Sequence, residues 1–74
     1  MSRLPSLVPR EVIAALKRAG FKERRQRGSH LLLYDPNGGA RVIVPVHAGE
    51  LPRGTLKSII AQSGLSDDEF IALL

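Results

Sequence analysis

The sequence predicts an α+β fold in the order α-β-β-β-α, followed by a short helix at the C-terminal end. Apolar residues recur at helical spacing in two segments, and each of these segments begins near a proline and ends at a glycine. Between them lie segments of strand character that are separated by turn-forming residues. The apolar stripes of the two main helices should pack together on one face of a three-stranded antiparallel sheet. The other face is then available for a ligand, RNA or a protein partner.

Proline and glycine set the predicted bounds of the main helices. The first helix covers 9–19, because Pro9 suits a first helical turn and Gly20 stands where a left-handed cap belongs. The second helix covers 52–63 by the same reasoning and ends at Gly64.

Three strands are predicted between these helices. Residues 22–27 are polar and suit an exposed strand, 29–34 are rich in leucine, and 41–46 form the third strand after a turn at 35–39. Pro45 cannot donate a ladder hydrogen bond, so the third strand lies at a sheet edge or Pro45 lies at its end.

The C-terminal segment has the spacing of a capping box. Ser66 precedes Glu69 by three residues, which predicts a short third helix. Asp67, Asp68 and Glu69 then lie in its first turn, where acidic side chains complement the helix dipole, and this interpretation is favoured over a metal site.

Length and composition exclude several classes of protein. The chain has 74 residues, no cysteine and two histidines, which predicts a single domain over 1–74 without disulfides or a closed structural metal site. Its apolar runs are far shorter than the ~20 residues of a membrane span, and no export signal is visible. We therefore expect a cytoplasmic protein that does not enter a membrane.

The positive charge is concentrated in the first half. Residues 1–37 contain eight Lys/Arg and three Asp/Glu, a net charge of +5, whereas 38–74 contain three and four, a net charge of −1. The predicted first strand carries four of the basic residues, and such a patch attracts a polyanion through counterion release. A solvated surface or an acidic protein partner would explain the same pattern. The four basic residues of the predicted first strand are Lys22, Arg24, Arg25 and Arg27.

One histidine lies in a setting that suits RNA cleavage. His30 follows the basic segment closely, and an imidazole exchanges protons near neutral pH while arginines stabilise phosphate charge. His47 is a second candidate for proton transfer, and Tyr34 shares a strand face with His30 and could stack a base. Each of the three also has a structural alternative: a strand histidine bonded to backbone, a loop anchor and a packing residue. Phosphate-binding glycine loops are absent, and Ser29 cannot pair with His30 if neighbours in a strand face opposite sides.

Three motifs resemble a known family. The runs Arg25-Gln26-Arg27-Gly28-Ser29-His30, Val44-Pro45-Val46-His47 and Glu50-Leu51-x-x-Gly54-Thr55-Leu56, with Gly64-Leu65 beyond them, are similar to the HicA toxins of HicA/HicB toxin-antitoxin pairs. The resemblance covers nearly the whole chain.

The resemblance implies a fold like the double-stranded RNA-binding domain and an activity as a ribosome-independent mRNA interferase. It assigns catalysis to His30, with Gly28 and Ser29 as the turn that presents it, and leaves His47 as a supporting residue. Many members have a second histidine where this chain has Leu31, which points to the other sheet face. The resemblance also implies a cognate HicB-type antitoxin, usually acidic, that occludes the RNA-cleaving surface.

The leading hypothesis is therefore an endoribonuclease that needs no metal or other cofactor and acts on mRNA. His30 is its general acid or base, and Lys22, Arg24, Arg25, Arg27 and Tyr34 bind RNA. Two alternatives remain open: a non-catalytic RNA-binding module, and a protein-interaction subunit that uses the same basic face.

Overall fold

The computed structural model of the chain describes residues 4–47 and 49–74. Its elements are α1 (Pro9–Arg18), β1 (Lys22–Arg27), β2 (His30–Tyr34), β3 (Arg41–Pro45), α2 (Arg53–Ser63) and α3 (Asp67–Ile71). The strands form one antiparallel sheet in the order β1-β2-β3. The predicted fold class is confirmed, and the arrangement agrees with that of double-stranded RNA-binding domains. None of the helices in the described residues has the length and apolar character needed to cross a membrane.

The predicted element bounds are close to the observed ones. The strand predicted from residue 29 begins instead at His30, because Ser29 belongs to the preceding turn. Both interpretations of Pro45 are correct, since β3 lies at a sheet edge and Pro45 is its last residue.

Helix α1 ends in a Schellman motif. Gly20 has a φ of +103°, a backbone conformation that favours glycine. Its N–H donates to the carbonyl of Lys17 at 3.0 Å, and the N–H of Phe21 donates to the carbonyl of Leu16 at 3.0 Å. This cap reverses the chain towards β1 and places Phe21 in the core.

A two-residue turn joins β1 to β2. Gly28 has a φ of +56°, and no non-glycine residue among those described has a positive φ. Glycine followed by serine suits a tight hairpin turn that needs positive φ at its first position. The turn fixes His30 as the first residue of β2.

The core lies on one side of the sheet. Leu31 and Leu33 of β2 and Val42 and Val44 of β3 alternate with exposed or half-buried residues, and they face the helices. Phe70 of α3 is fully buried in the same core, a burial that contributes about 1.5–3 kcal/mol. The other buried apolar residues are Leu4, Leu7, Val12, Ala15, Leu16, Phe21, Leu51, Leu56, Ile59 and Ile60.

No helix of the described residues covers the opposite side of the sheet, and we call this side the outer face. Strand alternation and register place on it three side chains from β2 and three from β3. Strand β1 adds its basic residues, as described below. The outer face consists of His30, Leu32, Tyr34, Arg41, Ile43, Pro45, Lys22, Arg24, Arg25 and Arg27.

Replacing Gly28 tests the hairpin turn. No heavy atom outside the turn lies within 4 Å of a Cβ added at Gly28, so the cost of Gly28→Ala comes from the positive φ alone. We expect a loss of about 1–2 kcal/mol in the free energy of unfolding. Gly54→Ala is the matched control, because Gly54 also has free space but lies in α2. It should raise stability by about 0.5 kcal/mol. Urea unfolding measures both changes, and equal effects of the two substitutions would contradict this account of the turn.

Candidate functional site

A β-bulge in β1 places neighbouring basic residues on the same side of the sheet. Lys22 lies opposite Tyr34, Glu23 opposite Leu33 and Arg25 opposite Leu32, which leaves Arg24 as an extra residue in the ladder. Strict alternation would direct Arg24 and Arg25 to opposite sides of the sheet. The bulge removes that alternation locally and re-aims the side chains, so both arginines lie on the outer face.

The acidic residue of β1 is turned away from these cations. Glu23 lies opposite Leu33, a core residue, and its carboxylate forms an ion pair with the ammonium of Lys17 on α1. The pair is about half exposed and contributes little to stability. The ion pair matters for the charge of the outer face, because Lys17 neutralises the Glu23 carboxylate on the helix side of the sheet. The outer surface of β1 is therefore basic along its length.

His30 lies exposed at the end of this basic surface. On β1 its cross-strand neighbour is Arg27, and on β3 it is Pro45; the Cβ atoms of such pairs are about 5 Å apart. The imidazole lines a shallow depression of about 230 Å³ together with Arg25, Arg27, Leu32 and Ile43. The side chain is exposed, and no group within the described residues forms a hydrogen bond with the ring.

The backbone around His30 is held at two points. Gly28 provides the turn, and the carbonyl of Ser29 accepts a hydrogen bond from the N–H of Val46, one residue beyond β3. This bond continues the β2–β3 ladder past Pro45. Ser29 is therefore fixed through its backbone, and the start of β2 is held from both neighbouring strands.

Tyr34 lies at the other end of β2. It is four residues from His30, a separation of about 13 Å along the strand. The Arg24 guanidinium lies over its ring, 5.5 Å from the centroid. A cation–π contact of this kind holds both side chains on the outer face.

His47 does not share a cavity with His30. It is exposed after β3 and lines a cavity of about 660 Å³ that is formed by α1 and the loop following β3, with Ile13 and Val46 among its walls. That cavity lies on the helix side of the sheet. The two histidines, which the sequence had left as possible partners, therefore line different cavities.

Sequence reasoning gave no site role to four residues of the outer face, namely Leu32, Arg41, Ile43 and Pro45. Arg41 lies opposite Tyr34, and Ile43 lies opposite Leu32. Strand alternation from His30 along β2, continued through the turn at 35–39 into β3, would have placed these residues on the outer face. The motifs drew attention to histidine and the basic run instead.

The C-terminal acidic residues have structural partners. Glu69 and Ser66 form both bonds of the predicted capping box, at 2.8 and 3.0 Å. Asp67 forms an ion pair with Lys57 at 2.6 Å. Residues 4–47 and 49–74 contain no group of three acidic or histidine side chains that could hold a metal ion.

Comparison with known proteins identifies the family. The profile of the HicA toxin of bacterial toxin-antitoxin systems matches residues 9–65, a range that contains α1, the whole sheet and α2. A search of curated proteins finds no match. The matched range covers more than half of the chain and includes His30 with its turn and the basic strand. The chain therefore belongs to the HicA family of toxins of bacterial toxin-antitoxin systems.

Proposed function

We propose that this toxin is an endoribonuclease that cleaves mRNA without a metal ion, with His30 as its general acid or base. The observation that carries the proposal is the exposed imidazole, which shares one depression with the guanidinium groups of Arg25 and Arg27. An imidazole can transfer a proton at a phosphodiester, and guanidinium groups stabilise the charge that develops on phosphate. The imidazole and the guanidinium groups line the same depression of the outer face.

The chemistry is intramolecular transesterification. His30 accepts the proton of the ribose 2′-hydroxyl as the 2′-oxygen attacks phosphorus. The bond from phosphorus to the 5′-oxygen breaks, and that oxygen receives a proton from the imidazolium or from water. The products are a 2′,3′-cyclic phosphate and a 5′-hydroxyl. Because His30 is open to solvent, it can exchange its proton with water between turnovers.

The cations along β1 also bind the RNA on either side of the cleaved bond. Arg27 lies opposite His30 and Lys22 lies opposite Tyr34, so β1 provides positive charge along the full length of β2. Phosphates on either side of the scissile bond can pair with these groups. Tyr34, held under Arg24, offers an aromatic surface for a base further along the strand.

HicA toxins act with an antitoxin, and we propose that an acidic HicB-type antitoxin covers the outer face. Carboxylates of such a partner would pair with the arginines that otherwise bind phosphate. One surface would then serve two mutually exclusive ligands, and antitoxin binding would exclude RNA.

Cleavage of RNA in the presence of a chelator tests the catalytic assignment. The native protein should cut a long single-stranded RNA under these conditions, whereas His30→Gln should reduce the rate at least a hundredfold, because the proton transfer is abolished. His30 is exposed, so the variant should keep its fold and its RNA affinity. Full cleavage by the folded variant would refute the assignment. A salt-sensitive gel shift without cleavage by the native protein would favour the RNA-binding alternative.

The same substitution at the other histidine tests whether one imidazole is enough. His47→Gln should leave cleavage within about threefold of the native rate, because His47 lines a different cavity. If both variants fail to cleave RNA while remaining folded, the single-imidazole mechanism is wrong. Product analysis by chromatography gives an independent check, since the mechanism requires a cyclic phosphate end.

Charge reversal tests the outer face as the RNA surface. Arg24→Glu combined with Arg25→Glu should weaken RNA binding strongly, and should flatten the dependence of log Kd on log salt by about 0.7 for each phosphate that the protein no longer neutralises. The matched control is Arg10→Glu with Arg53→Glu, exposed arginines of the two main helices. Each pair lowers the formal net charge from +4 to zero. Equal decreases in affinity would mean that overall charge, and not this face, controls binding.

A further inference from the structure

An exposed aliphatic side chain occupies the middle of the basic outer face. Ile43 is 51% exposed, and Leu74 is the other large apolar residue that is exposed among those described. Ile43 lies directly opposite Leu32, which is half-buried. The two side chains form an apolar floor in the depression that His30 also lines.

Charged groups surround this floor on one side. Arg25 lies opposite Leu32 on β1, and Arg27 lies opposite His30. Leu32 follows His30 by two residues, about 7 Å along the strand. The depression thus combines a flat apolar floor with guanidinium groups and an imidazole at its rim, and this combination matches a nucleotide, whose base has apolar faces and whose phosphates are anionic.

A hydrogen bond to α2 holds the backbone of the floor at Ile43. The N–H of Ile43 points away from β2 and donates to the side-chain oxygen of Gln62 on α2 at 3.4 Å. Gln62 in turn donates to the hydroxyl of Ser58 at 3.3 Å. Isoleucine has restricted rotamers because it branches at Cβ. A base that packs here would give up its own freedom without ordering the protein, which favours binding.

We propose that Leu32 and Ile43 form a subsite for one unpaired nucleobase, in the nucleotide next to the phosphate at His30. This inference rests on the proposed function and adds an apolar interaction that no cation of the outer face can make. A paired helix keeps its base faces stacked inside, so only single-stranded RNA can present one to the floor. The subsite selects single-stranded substrate and is separate from Tyr34, which lies beyond it on β2.

Binding of oligonucleotides that lack one base tests the subsite. The probes are short 2′-O-methyl RNA strands, which cannot undergo the transesterification, each with one abasic position. For the native protein, one position should weaken binding about fivefold when its base is missing. Ile43→Ser should weaken binding of the complete strand by a similar factor and should abolish the effect of that abasic position. Leu74→Ser is the matched control and should change neither value, because Leu74 lies at the end of the chain, outside the sheet.

The outcomes separate the subsite from the nuclease proposal. If native protein binds and cleaves RNA but Ile43→Ser behaves like native protein, the subsite is wrong and the proposed function stands. If Ile43→Ser weakens binding of all strands equally, and the missing base still weakens binding as it does for the native protein, the subsite is also wrong. If Ile43→Ser weakens binding of the antitoxin alone, the floor serves that protein and not a base. Absence of any RNA binding by native protein overturns both proposals.

Discussion

The fold depends on an apolar layer that lies on one side of the sheet only. Leu31, Leu33, Val42 and Val44 direct their side chains towards the helices, and this alternation forces the intervening residues to the opposite side. The helices of the described residues share one core on that side of the sheet. The buried leucines and valines therefore direct the side chains of His30 and Tyr34 to the outer face.

The second determinant is the interruption of β1 at Arg24. A regular strand would divide its charges between two sides, whereas the bulge collects the basic residues on one side and leaves Glu23 beside Lys17. Charge separation across the sheet thus arises from one extra residue in a ladder. The apolar pair Leu32 and Ile43 lies within this positive field, and this arrangement is the basis of the proposed nucleobase subsite.

Most of the fold could be predicted from the sequence, because its signals are local. Prolines, glycines and apolar periodicity locate the helices, and the cluster at 35–39 locates a hairpin. The bulge could not be predicted, since Lys22 to Arg27 contain no glycine or pattern that marks an extra residue. The placement of His30 and His47 in different cavities depends on strand register and on the path of the chain after β3, which are tertiary properties. The motif around His30 indicated the start of β2 to within one residue but did not reveal the apolar floor beside it.

The two edges of the sheet also limit how copies of this protein can meet. On β3, Pro45 has no N–H to offer and that of Ile43 is already engaged by Gln62. If the β1 edges of two copies paired, the arginines of one copy would lie beside the arginines of the other and repel them. A bare sheet with open edges is ordinarily a template for aggregation. Here a proline, a glutamine and like charges oppose the growth of a continuous intermolecular sheet from either edge.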